Sequence, residues 1–281
     1  MPRLLVVAAS VALTACAAQQ RVADVHAAEA ARPAPAEAAR PGPFSSTYRP
    51  APSGPTLIRG ATVLTGTGKR LDGADVLIVD GTIKAVGAKL ETPDGAQVID
   101  ASGRWVTPGI IDIHSHLGVY PSPALKGLDD GNELTNPVTA NVWAEHSVWP
   151  QDPGFEMALE GGVTTLEILP GSGNLIGGRS VVLKNVHATT YQAMKFPAAP
   201  QGLKMACGEN PKRVYGGKGQ FPSTLMGDVA GYRQAFADAQ DYRNQWRKYQ
   251  RELAEFEKKN AHAADDAKDA STRRRRRRSA T

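Results

Sequence analysis

The chain has 281 residues, 41% hydrophobic and 6% aromatic, enough for one large globular domain or two modest ones. A mean hydropathy of −0.33 excludes a polytopic membrane protein. The net charge of +5 comes from one run of six arginines at positions 273–278; the rest of the chain sums to −1, so no basic face calls for a nucleic-acid partner.

Residues 1–16, "MPRLLVVAASVALTAC", place Arg3 before an apolar run that ends at Leu13. The run is too short to span a bilayer and has the layout of an export signal. Its end, "LTAC", resembles a bacterial lipobox, which implies cleavage before Cys16 and lipid on its thiol. The chain is then expected in the bacterial cell envelope, exported and lipid-anchored on the periplasmic side. Cys207 is the other of the two cysteines, so no internal disulfide is expected. Residues 17–55, with "ARPAPAEAARPGP", are too rich in proline and too poor in apolar residues for a core; they predict a disordered tether.

Residues 56–106 change texture. Short β-rich runs, "TLIRGATVLTGTG", "GADVLIVDGTIKAVG" and "AQVIDASGRWVTPG", are split by Gly and Asp, and Asp80-Gly81 is a hairpin signal. They predict a small β-sandwich. Residues 107–228 alternate differently. Residues 110–114 predict a buried strand. A long polar loop, 118–150, follows it. Asp152 caps a helix over 154–160 that Gly161-Gly162 closes, and strands are predicted at 164–169, 180–186 and 202–206. Strand, helix, strand predicts an α/β fold, either a barrel or an open parallel sheet. Residues 229–264 carry Val229, Tyr232, Phe236, Ala239, Tyr242, Trp246, Tyr249, Leu253 and Phe256 at steps of three and four, an amphipathic helix expected to pack its stripe on the body. Residues 265–281 predict a disordered Arg-rich tail. There is no internal repeat.

The chemistry sits in "TPGIIDIHSHLG", residues 107–118. Side chains two apart on a strand point to one side, so His114 and His116 converge if the segment is extended. Two neutral imidazoles on one face can bind a divalent metal at about 2.0–2.1 Å each. Asp112 shares their parity and is placed to hold an imidazole N–H from behind. The glycine-rich "PGSGNLIGGRS", residues 170–180, imitates a phosphate loop with Arg179 in the lysine position. A β-rich run follows it where anion binding needs a helix, so it reads as a loop beside the site. His146, His187, Trp143 and Trp149 belong to no motif.

Together "GADVLIVDGTIKAVG", "VIDASGRW", "VTPGIIDIHSHLG" and "FEMALEGGVTTL" resemble the amidohydrolase superfamily, in its imidazolonepropionase-like and prolidase-like branch, over residues 56–217. The resemblance implies a β-sandwich joined to a metal-bearing (β/α) barrel, with the site at the strand C-termini. It implies hydrolysis of C–N bonds in small amides, cyclic amides or dipeptides by metal-activated water, with one or two divalent ions, Zn2+ foremost. His114 and His116 match the first two ligands. In "GLKMACGENPKR", residues 202–213, Lys204 fits a carboxylated lysine ligand, and Glu209 is the alternative carboxylate.

The family pattern is not completed. An eight-stranded barrel needs about 250 residues; residues 108–272 supply fewer, no second histidine pair follows, and no late strand offers a general base. The chain therefore reads as a C-terminally truncated member with an incomplete barrel, inactive alone. The rival expectation is a noncatalytic, membrane-tethered lipoprotein that binds a partner through its long helix. Substrate, catalytic base and oligomeric state are left open.

Overall fold

The structure, a computed structural model, describes residues 43–278, with side chains through residue 261. Signal, lipidation at Cys16 and most of the tether lie outside the described residues.

Strands β1 (Thr56–Leu64), β2 (Arg70–Val79), β3 (Thr82–Gly87), β4 (Gln97–Asp100) and β5 (Trp105–Val106) form one five-stranded sheet, ordered β3-β2-β1-β4 with β5 also on β1. All the strands of this segment lie in that one sheet, where the alternation predicts the two layers of a sandwich. One face is filled by Ala61, Val63, Ala74, Val76 and Ala101. Ile83, Val98, Ile99 and Trp105 are exposed. The β2–β3 turn is Asp80-Gly81, at φ 52° and 68°, the double positive φ that a two-residue hairpin requires. Asp75 is buried, and its carboxylate accepts the amides of Gly60 (2.9 Å) and Leu90 (3.0 Å).

Strand β6 (Ile110–Ser115) runs parallel to β7 (Val163–Ile168), joined through the long loop and helix α1 (Pro153–Glu160). A parallel pair requires such a crossover. β7 also pairs antiparallel with β9 (Val181–Lys184). Leu166 and Ile168 face Phe155 of α1 in the main core with Val119, Val148, Val181, Leu183 and Met194. The expected burial of β6 fails: Ile110, Ile111 and Ile113 are 54%, 65% and 73% exposed, because β6 is the edge of its described sheet.

The chain enters a second sheet one residue before β9. Strand β8 (Ile176–Arg179), in a stretch whose glycines predict a loop, pairs antiparallel with β10 (Leu203–Met205). Ser180 makes the bend: its hydroxyl donates to Glu167 Oε1 and accepts the Gly202 amide, both at 2.6 Å. Gly178, at φ +123°, passes so close to Val142 that a Cβ would lie 2.6 Å from its carbonyl oxygen. Helices α2 (Tyr191–Met194) and α3 (Glu209–Gly216) follow.

Helix α4 (Leu225–Arg278) starts earlier and ends later than its stripe predicts. Thr224 opens it, its hydroxyl accepting the Gly227 amide at 3.1 Å. It continues through residues 265–278, where composition predicts a disordered tail, because no Gly or Pro follows Gly231 and Ala, Lys and Arg favour helix. Nor is the stripe covered: Phe236, Tyr249 and Phe256 are 53%, 53% and 62% exposed. A helix of 54 residues is about 80 Å long and outruns any body of this size. Among the described residues no helix is long and apolar enough to cross a membrane.

The long loop is held by two buried side chains. Asp152 caps α1 through the Gly154 amide (2.9 Å) and also accepts the amides of Gly118 (2.8 Å) and Ser122 (3.1 Å). Asn174 Nδ2 donates to the carbonyls of Glu133 (2.5 Å) and Asn136 (2.9 Å), and the hydroxyl of buried Tyr215 donates to the Asn136 carbonyl at 2.8 Å. Asn174→Ala should therefore lower stability by about 2 kcal/mol. Asn174→Asp should cost more, since it turns a carboxylate toward carbonyl oxygens. Urea unfolding followed by tryptophan fluorescence measures both, and an unchanged midpoint in both variants would remove Asn174 as the anchor.

Candidate metal centre

β6 ends at Ser115, and the chain turns at once: the amides of Val119 and Tyr120 both donate to the His116 carbonyl, at 3.2 and 2.9 Å. His114 and His116 thus leave the strand end together, ring centroids 5.2 Å apart and nearly perpendicular. The same turn folds Tyr120 back, its ring 5.4 Å from that of His116. The Tyr120 hydroxyl accepts a hydrogen bond from Asn132 of the long loop.

Lys204 arrives from β10. Its partner across the ladder is Gly178, and its stem passes beside Gly177. Its Nζ lies 2.9 Å from His114 Nε2, and the residue is buried. Burial pushes its ammonium below the usual lysine range. An ammonium has only donors, so Nε2 of His114 accepts and carries the lone pair. His116 Nδ1 lies 2.8 Å from the Leu169 carbonyl, an acceptor only, so Nδ1 bears the proton and Nε2 of His116 is left with its lone pair as well. Burial lowers the His116 pKa, opposed by the Leu169 carbonyl and aided by the charge of Lys204. His116 is thereby held neutral with Nε2 unengaged, while Nε2 of His114 faces the Lys204 amine.

The other sequence candidates lie apart from this trio. Asp112 does not hold an imidazole: its Oδ1 accepts the backbone amide of His114 at 3.0 Å, within its own strand. Glu209 is exposed in the first turn of α3. His146 is exposed, stacked on Trp143 with ring planes 8° apart. His187 lines a separate cavity of about 210 Å³ with Asp152, Glu156 and Asn185. The Arg179 guanidinium lies 5.0 Å over Trp143, and a strand, not a phosphate-binding helix, carries it.

Comparison with known proteins gives a consistent result. No family model matches the sequence. The amidohydrolase tasK of Hapsidospora irregularis is 38% identical over 211 residues, 66% of this chain and 22% of that protein. The dihydroorotase of Pelotomaculum thermopropionicum is 49% identical over 61 residues, 22% of this chain and 14% of that one. A crystal structure of an amidohydrolase from Thermotoga maritima MSB8 superposes with a TM-score of 0.63 at 42% identity, over 68% of this chain and 49% of that one. The chain belongs to the amidohydrolase superfamily. It spans about a fifth of tasK and about half of the Thermotoga protein.

For an amidohydrolase, the donor set fits a divalent ion. His114 and His116 leave one strand end together, and a buried amine with a lowered pKa stands against Nε2 of His114. Among the described residues no cluster of three His, Cys, Asp or Glu side chains adds to them. Tyr120 and the Leu169 carbonyl were not legible as parts of this site. Tyr120 had a signal in its position four residues after His116, since an i to i+4 turn returns it to the ring; the carbonyl, being backbone, had none.

The geometry fixes a tautomer. In long-range proton–nitrogen NMR spectra of the metal-free protein at neutral pH, His116 should appear neutral with its proton on Nδ1. A proton on Nε2 would contradict the Leu169 contact.

Proposed function

We propose that this chain is the metal-binding part of a hydrolase acting on C–N bonds of small amide, cyclic amide or dipeptide substrates. The observation that carries the reading is the approach of Lys204 Nζ to His114 Nε2 beside a His116 held as a neutral donor. His114 and His116 would hold the ion through Nε2, one or two Zn2+ being the natural occupants of such a set. A bound divalent ion supplies a water acidified toward neutral pH and a polarised carbonyl.

Lys204 joins the set by a different route. Its buried, less basic amine can attack carbon dioxide; an N–C bond forms, a proton leaves the nitrogen, and the resulting carbamate offers oxygens to the ion. Glu209 would have to swing in from α3 to take that place, so Lys204 is the preferred third ligand. Tyr120 stands where its ring can wall a substrate against His116. The Leu169 carbonyl sets the His116 ring, the outer support that ligating histidines commonly have. We further propose that the chain is exported and anchored by lipid on Cys16, as its N-terminal sequence suggests.

Metal analysis tests this reading. The purified chain should retain Zn2+ through dialysis, the His114→Ala, His116→Ala double variant should lose it, and Lys204→Met should weaken retention. Retention unchanged in the double variant would overturn the assignment. Any hydrolysis of a cyclic amide by the chain should vanish with a chelator and return with Zn2+.

A further inference from the structure

The cavity of about 210 Å³ beside α1 takes no part in the metal centre. It lies between the helix and the chain leaving β9: Phe155, Glu156 and Leu159 line it from one side, Asn185, Val186 and His187 from the other. Asn185 is 4% exposed, and its Nδ2 donates to the carbonyls of Phe155 and Val163, both at 2.9 Å. Those two carbonyls fix which end of the side chain is nitrogen, since an oxygen turned toward them would be repelled. Among the described residues nothing donates to Asn185 Oδ1. The orphaned atoms sealed from solvent are Asn174 Oδ1 and Asp228 Oδ1, so Asn185 Oδ1 is orphaned but open to the cavity it lines. A nearly buried acceptor without a donor is costly, and this one calls for a donor inside the cavity.

The other polar groups of the lining are acceptors too. Glu156 is exposed at the rim, and among the described residues no cation pairs with it. Gln151 spends its Nε2 on the carbonyls of Ala188 and Thr189, at 3.4 Å each, and keeps Oε1. A neutral His187 keeps one ring lone pair. The Asp152 carboxylate has its oxygens on three amides, but its charge remains. None of the lining residues is Lys or Arg. An anion would find no free donor at the start of α1, because Pro153 has no N–H and Asp152 takes the Gly154 amide. We propose that this cavity binds a small primary ammonium ion with an apolar body, the ammonium donating to Asn185 Oδ1 and Glu156 and the body lying on Phe155 and Leu159.

Size and chemistry set the other occupants aside. A cavity of about 210 Å³ is smaller than the sites of about 300 Å³ and more that hold drug-sized ligands, so the amine is small. A divalent ion needs more ligating side chains, and among the described residues no three His, Cys, Asp or Glu gather around one place. A lysine side chain of another protein also carries an ammonium, but its flexible stem loses more rotamer freedom on entry than a rigid ring does. A free aromatic amine is therefore the preferred occupant.

The test is an NMR titration of the full chain with benzylammonium, in EDTA so that no metal ion captures the amine. The side-chain amide signals of Asn185 should shift to saturation with a Kd of about 1 mM, while those of Asn174 stay in place. Benzyl alcohol, the neutral counterpart, should bind about tenfold more weakly, and benzoate not at all. Glu156→Gln, a change on the exposed surface, should weaken benzylammonium about fivefold. Leu159→Trp, which fills the cavity, should abolish binding, with Asn174 signals at their wild-type positions showing that each variant is folded. No saturable shift at Asn185 up to about 50 mM overturns the proposal, as does benzyl alcohol or benzoate binding as well as benzylammonium. Nα-acetyl-lysinamide binding as tightly as benzylammonium overturns the choice of a free amine. None of these outcomes depends on the metal centre.

Discussion

Placing a buried amine against an exposed imidazole at the end of an edge strand is the constraint from which the rest of this chain can be understood. Lys204 and His114 are ninety positions apart in sequence, and a lysine resists burial unless something recompenses its lost hydration. The fold answers with a chain of short, polar fixings. Ser180 turns the backbone from one sheet to the other by bonding both Glu167 and Gly202. β8 then pairs with β10, the strand that carries Lys204. Asn174 ties the long loop against the same region, and Asn132 of that loop bonds Tyr120, whose ring stands against His116. Remove any of these and the two nitrogens have no reason to meet.

The apolar residues distribute themselves by a different logic. Where an element has a neighbour it packs well: Leu166 and Ile168 are fully buried under α1, and Leu57 and Ala61 are buried in the five-stranded sheet. Where it has none it stays open, as in the isoleucines of β6, the outer face of β4 and β5, and the stripe of α4. Contiguous apolar exposure on this scale and an unpaired strand edge both favour association. The edge of β6 is particularly consequential, because the same strand positions the histidines; whatever covers Ile111 and Ile113 also stiffens the base of the metal centre.

Local chemistry was legible in the sequence wherever a few adjacent residues decide the outcome. Asp80-Gly81 specifies its turn, Asp152 caps α1, and the alternation around His114 and His116 brings both rings out at one strand end, as a period of two requires. Residues 56–106 show the limit: alternation reveals strands but not whether a second layer faces them. β8 was hidden because glycines that signal a loop sit in a strand, where Gly178 serves close approach to Val142. Asp112 had the right parity and still bonds a backbone amide, since a short carboxylate on a strand reaches its own chain more easily than a neighbouring ring. Lys204 was legible only through family likeness; nothing in its neighbours announces a partner ninety residues away.

The stripe of α4 shows why an amphipathic pattern alone does not name its partner. The periodicity is the same whether a helix lies on its own body or on another helix, and the prior favours its own body because most helices are short. Here length decides. The first turns are committed: Asp228 is fully buried and accepts the Gly208 amide at 2.7 Å, Gly231 lies against Leu175, and Tyr232 binds the Ala206 carbonyl. Past these fixings the helix continues with no residue to break it, and the body does not follow. The aromatic rings can only stack on one another along the axis, a partial shelter that leaves Phe256 mostly in water. A stripe that keeps regular spacing while Phe236, Tyr249 and Phe256 remain exposed marks a face that the described body does not cover.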